Sequence, residues 1–142
     1  MADDYKTLVR RLYEEVENGQ KLEVVEELIH PEFRDVHNSV SPFPVVGVEG
    51  IKKLAGALHA VMDLRVEIMD LIQEGDLVAA HLKFHSVHKT EFMGKPPTGQ
   101  RLESQGVEVF RGRDGKLAER WVYIDQLPIM RELGVLPPPA AH

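Results

Sequence analysis

No cysteine occurs among the 142 residues. That excludes a disulfide framework, a thiolate zinc site, an iron–sulfur cluster and a cysteine nucleophile. Basic charge is also short: 17 Lys and Arg stand against 23 Asp and Glu, a formal net charge of -6. A nucleic-acid binder normally carries a basic surface, so no nucleic-acid partner is expected. The local basic pairs Arg10–Arg11 and Lys52–Lys53 fall on helix-like stretches and read as solvated helix faces. Long apolar runs are missing too. The longest uncharged stretch, Asn38 to Val48, is far short of a membrane span and holds two prolines. The N-terminal stretch is acidic with no apolar run behind it, so no signal peptide is expected. These absences lead to the expectation of a soluble, cytoplasmic protein with no membrane partner. Neither a Gly-x-Ser-x-Gly elbow nor a Gly-x-Gly-x-x-Gly loop is found.

What is present is ordinary for one globular domain: 43% hydrophobic and 28% charged residues. A single domain is expected over residues 1–136, followed by a frayed Pro-rich tail, 137–142. Residues 4–19 read as an amphipathic helix, with Tyr5, Leu8, Val9, Leu12 and Val16 at helical spacing. Residues 21–29 read as a second short helix ended by Pro31. A short strand is expected from Phe33 to Asn38, then a Pro/Gly loop, then a third helix over 48–62. The period then changes. Strands are expected over 64–73, 77–88, 102–111 and 117–124, with turns at Glu74-Gly75-Asp76 and Asp114-Gly115. A final helix over 126–133 stops at Gly134, with Asp125 as its expected N-cap. Helices first and antiparallel strands after them define an α+β chain with helices on one face of a curved sheet.

Several segments in order carry a family resemblance. They are RLYEEVENG from Arg11, HPEF from His30, GIKKL from Gly50, HKTEFMGKPPTG from His88, RDGKLAERW from Arg113 and DQLPIMRELG from Asp125. Together they resemble the SnoaL-like polyketide cyclases, or ester cyclases, of the nuclear transport factor two-like superfamily, over roughly residues 5–134. The resemblance implies a cone-shaped barrel. In it a strongly curved, mostly antiparallel sheet wraps around three N-terminal helices and leaves a pocket at the open end. It also implies a homodimer formed through the outer sheet face. It does not settle function, because this fold hosts several chemistries.

Strand parity sorts the candidate site residues, since alternate residues share a face. Leu82, Phe84, Ser86 and His88 form one set, and the bulky apolar members mark it as the inner one. His81 and His85 then face outward. His85 and His88 point to opposite faces, so they make a poor metal pair, and no metal site is expected. Leu102, Ser104, Gly106, Glu108 and Phe110 form the next inner set if Leu102 and Phe110 mark it, the alternative parity turning Val107 and Val109 inward. A buried Glu108 either rises in pKa and acts as an acid or pairs with Arg120. By the family pattern Arg120, Val122 and Ile124 face inward, and Val107, Val109 and Trp121 face out. Phe33, Asp35 and His37 share a face of the short strand. Asp35 then either moves a proton or caps the following turn, and His37 and Asn38 sit at the loop mouth. One departure stands out. Aligned on its flanks, the chain has Val122 where the antibiotic-pathway cyclases carry their acid–base aspartate, and Glu108 where they carry a histidine.

The expected catalytic set is therefore Asp35, His88, Glu108 and Arg120. Expected substrate contacts are His37, Asn38, Leu82, Phe84, Phe110 and Val122. The expected function is cofactor-independent acid/base proton transfer on a small hydrophobic carbonyl compound, polyketide- or steroid-like. The alternative is a noncatalytic domain of the same fold that binds a small hydrophobic molecule.

Overall fold

The computed structural model describes residues 4–138. The expected tail therefore lies, beyond Pro138, outside the described residues. Helix α1 (Tyr5–Arg11) starts at Asp4, whose carboxylate accepts a hydrogen bond from the Thr7 N–H. It does not continue as an α-helix to Asn18 as the spacing predicts. From Leu12 to Asn18 the chain widens into a π-helix with Leu12, Tyr13, Val16 and Glu17 buried. Such wide turns are uncommon and occur often at functional sites. Gly19 closes this one. Its N–H donates to the Glu14 carbonyl five residues back, and a Cβ there would meet the Glu15 carbonyl oxygen at 2.7 Å.

The expected second helix is shorter than its pattern. A 3-10 turn (Leu22–Val24) leads into a single helical turn, α2 (Val25–Leu28). The chain is already extended at Ile29, two residues before Pro31, so strand β1 runs Ile29–Asn38. Proline is tolerated there because β1 is an edge strand. Helix α3 spans Gly47–Met62 and ends on Asp63 in the left-handed conformation. The strands β2 (Arg65–Glu74), β3 (Leu77–Val87), β4 (Arg101–Arg113) and β5 (Lys116–Asp125) follow. The β4–β5 hairpin turns on Asp114 and Gly115, both at positive φ as a tight hairpin turn requires.

The sheet order is β1-β5-β4-β3-β2. Every neighbouring pair is antiparallel except β1 with β5, which is parallel. The helices lie against one face and share a core with it: Val9, Leu12, Val16, Leu28 and Ile51 pack with Leu82, Phe110 and Leu117. This is the expected α+β architecture, a curved sheet wrapped around its helices. Short α4 (Leu127–Glu132) closes the chain. Asp125 is not its N-cap residue. Gln126 occupies that position, and Asp125 accepts the Leu127 N–H at 3.3 Å from one residue earlier.

Candidate active site

Strand parity puts the inner rows of β3, β4 and β5 where the sequence expects them. Leu82, Phe84, His88, Leu102, Ser104, Glu108, Phe110, Arg120 and Val122 are all buried. Cross-strand register then sets their depth. Arg120 lies opposite Phe110, and Phe110 opposite Val78. One inner step along, Val122, Glu108 and Ala80 are aligned.

Arg120 organises the deep end. Its Nε and one terminal nitrogen donate to the two oxygens of Asp35, at 2.7 and 2.8 Å. The pairing is set by register, because Asp35 on β1 is the cross-strand partner of Arg120 on β5. The fork-to-carboxylate fit is the strongest geometry available to such a pair. The other terminal nitrogen reaches Glu108 Oε1 at 3.5 Å, and the Tyr13 hydroxyl donates to the same oxygen at 2.9 Å. So Glu108 is buried and also pairs with Arg120. The Phe33 and Phe110 rings flank the guanidinium, their centroids 5.9 and 6.0 Å from its carbon. Tyr13 is itself held edge-on against Phe110.

One guanidinium faces more carboxyls than it can neutralise. Burial raises the Glu108 pKa, with Arg120 and the Tyr13 hydrogen bond opposing and Asp35 adding to the rise. Tyr13 is pushed well above the ordinary phenol by burial and by Glu108, so it stays a hydrogen-bond donor. Burial alone would lower Arg120, but the carboxylates around it prevail and its pKa rises. A fourth acidic group, absent from the expected set, joins them. Glu17 is 8% exposed, and burial brings its pKa up to about 7 despite the lowering effect of Arg120. Its position four residues after Tyr13 is the one sequence signal that could have found it, since i and i+4 share a helix face.

Not every expected residue joins this cluster. His88 lies one residue past the far end of β3, eight residues beyond Ala80, the partner of Glu108. At about 3.3 Å per residue that is roughly 26 Å along the strand. His88 is 4% exposed. Its Nδ1 lies 2.9 Å from the Thr98 hydroxyl, which donates to Gln100 Oε1. The hydroxyl proton being committed there, Nδ1 is assigned as the donor to Thr98, which leaves Nε2 as the unprotonated acceptor. That Nε2 is fully buried and has no partner; it is the one such side-chain atom among the described residues.

His37 does not share the face of Asp35. Asp35 pairs with Arg120 and His37 with Trp121, so β1 bulges at Val36 and the alternation flips. His37 is exposed and stacks on the outward Tyr123 ring at 4.8 Å. Asn38 takes the inner place instead, aligned with Val122. Its amide donates to Asp35 Oδ2 at 2.8 Å, and its carbonyl oxygen caps the turn at Val40 and Ser41. Asp35 caps nothing. Two surface grooves, of about 520 and 400 Å³, lie away from the buried cluster, one beside α1 and one on the outer sheet face. Among the described residues no His, Asp or Glu group is placed to hold a metal ion, and no helix is long and apolar enough to cross a membrane.

A curved sheet over helices with an ionisable interior defines a small α+β domain. The comparisons narrow that description. The profile of the family described as SnoaL-like polyketide cyclase matches residues 7–133, and the chain belongs to that family. It is 28% identical over 131 residues to aklanonic acid methyl ester cyclase DnrD of Streptomyces peucetius, covering 89% of this chain and 88% of that one. It is 26% identical over 119 residues to nogalonic acid methyl ester cyclase of Streptomyces nogalater, covering 82% and 88%. Among solved structures, IdmH of Streptomyces antibioticus, named as a candidate polyketide cyclase, superposes with a TM-score of 0.76. The match has 30% identity and covers 92% of this chain and 99% of that one.

Proposed function

We propose that the chain is a cyclase-type enzyme. It would close a carbon ring in a small hydrophobic carbonyl compound by proton transfer, with no cofactor, inside the cone. The observation that carries the reading is His88 Nε2, an acceptor buried on the inner face and left without a partner. An unpaired buried acceptor costs stability. A substrate hydroxyl or enol donated to it would remove that cost on binding. The apolar residues Leu82 and Phe84, which lie on the inner row of β3 between the Glu108 level and His88, would take the hydrophobic body of the substrate.

Arg120 and Glu108, already engaged with each other and with Asp35 and set well away from His88, would act on the substrate through their fixed charge and not by direct contact. Asp35 is less suited to moving protons, because Arg120 and Asn38 together engage it through three hydrogen bonds. Its role in this reading is to hold Arg120 in place. Two relatives are named as cyclases of aklanonic and nogalonic acid methyl esters, so those esters are the first compounds to try.

Purified protein incubated with each ester should yield a product of unchanged mass and altered absorbance. In His88→Ala the substrate KM should rise by about tenfold, the usual scale for one lost hydrogen bond at a buried site. Wild-type kinetics in the variant would remove His88 from the site. A second reading rests on Val122, which cannot move a proton. A domain that only binds would hold the esters tightly and return them unchanged.

A further inference from the structure

We propose that Glu17 is a catalytic residue: its carboxyl carries the proton from the reacting carbon to the newly formed oxygen. This deepens the cyclase reading and rests on it.

Position comes first. Glu17 lies on the π-helical stretch, one residue before Asn18. The Asn18 side-chain amide accepts the Val66 N–H and donates to the Val66 carbonyl, at 2.8 Å each. Two hydrogen bonds to the edge strand β2 fix this end of the helix, and with it the direction of Glu17. The side chain is buried, yet among the described residues its carboxyl has no hydrogen-bond partner. A carboxyl in that state is costly unless it is neutral or awaits a partner. It is not sealed off. His88 Nε2 is the one fully buried side-chain nitrogen or oxygen without a partner among the described residues. The Glu17 oxygens, equally unpartnered, therefore keep contact with accessible space.

The surroundings come second. Glu17 feels Arg120 from β5, Glu108 from β4 and Asp35 from β1, and it in turn acts on Tyr13 of its own helix. Arg120 is already shared between Asp35 and Glu108. Burial therefore governs Glu17, with the two acids adding, and its pKa rises from 4.5 to about 7. A group present in both forms near neutrality can take a proton and give it back. The resemblance puts Val122 where an acid–base aspartate belongs. Glu17 reaches the same interior from the opposite wall.

The step balances without a co-reactant. A Glu17 carboxylate oxygen takes the proton from a carbon next to one carbonyl, and the C–H pair becomes an enolate. The enolate carbon bonds to a second carbonyl carbon of the same molecule. The π pair of that carbonyl moves onto its oxygen, and the alkoxide takes the proton from the Glu17 carboxylic acid. Substrate and product are isomers, and the enzyme ends as it began.

The test uses the full chain as wild type, Glu17→Gln and Glu17→Asp, with aklanonic acid methyl ester as probe. Wild-type kcat/KM should rise with pH up to about 7 and then level. Glu17→Gln should lose turnover by at least about 100-fold, lose that pH dependence, and bind the ester within about threefold of wild type. Glu17→Asp should recover part of the rate. A merely structural role would not move the pH profile. Turnover in Glu17→Gln within threefold of wild type, with the same profile, overturns the inference and leaves the cyclase reading standing. Wild type that binds the ester without turning it over overturns both. A further measurement follows the proton itself. The folded state holds a proton on Glu17 that the unfolded chain releases, so stability should fall as pH rises from about 4.5 to about 7. Glu17→Gln should flatten that fall; an unchanged slope counts against the inference.

Discussion

Arg120 heads the fully buried side chains by volume, and its charge is what makes the interior unusual. Burying a cation is tolerable only because Asp35 meets it in a fork and Glu108 adds a longer contact. Removing the cation alone should be worse than removing the whole group. Arg120→Met leaves Asp35 and Glu108 as buried carboxyls without compensation, and thermal or urea unfolding should show a loss of about 3–5 kcal/mol. The triple variant with Asp35→Asn and Glu108→Gln should regain most of it. An Arg120→Met protein as stable as wild type would mean the cluster is solvated rather than closed. The basic residues near the N-terminus and on α3 behave differently. Arg11 pairs with Glu15 and Glu27, and Lys52 with Glu26 and Glu49, all at least partly exposed. Such pairs contribute little to stability.

At the scale of elements, irregularities decide which residues share a face. The alternation of β3 is legible in the bulky apolar Leu82 and Phe84 and that of β4 in Leu102 and Phe110, whereas that of β5 rests on the family resemblance. β1 is not legible in that way. Its bulge at Val36 sends His37 outward to Tyr123 and turns Asn38 in, and no residue type announces such a slip. The first helix hides a second case. A continuous α-helix is the natural reading of 4–19, and within it Glu17 looks like one more acid on a solvated face. In the structure Tyr13 packs edge-on against Phe110, and Glu17, four residues on, is buried with it. Gly112 shows how tightly helix and sheet meet. A Cβ there would run into the Tyr5 ring, at the point where β4 slips register against β5. Gly112→Ala should cost roughly 1–3 kcal/mol through overpacking, read by chemical denaturation. A neutral result would show that Tyr5 can move aside freely.

At the scale of the whole molecule, the outer sheet face is the part with unfinished business. Val107 is 38% and Tyr123 52% exposed, beside the groove that His81, Gln105 and Asp125 also line. Apolar groups gathered on one face of a sheet are a reason to expect association. We propose that two chains pair through it. Analytical ultracentrifugation at micromolar concentration should then give twice the 16.1 kDa of one chain, and Val107→Lys with Tyr123→Lys should give one. A wild-type monomer under those conditions would rule the pairing out.

The sequence by itself determined the class of fold, the family and the inner rows of three strands. Those follow from periodicity and from ordered local segments, which are properties of neighbouring residues. It also excluded thiol chemistry, since the chain has no cysteine, and left carboxyls, histidines and Arg120 as the candidate groups. Tertiary structure decided how those groups combine. It tied Asp35 to Arg120 across 85 residues of chain, set His88 at the opposite end of β3 from Glu108, and brought Glu17 to the buried charges. The reason is physical. A pKa and a hydrogen-bond partner depend on distances through space, and here those distances are set by strand register, one bulge and one widened helical turn.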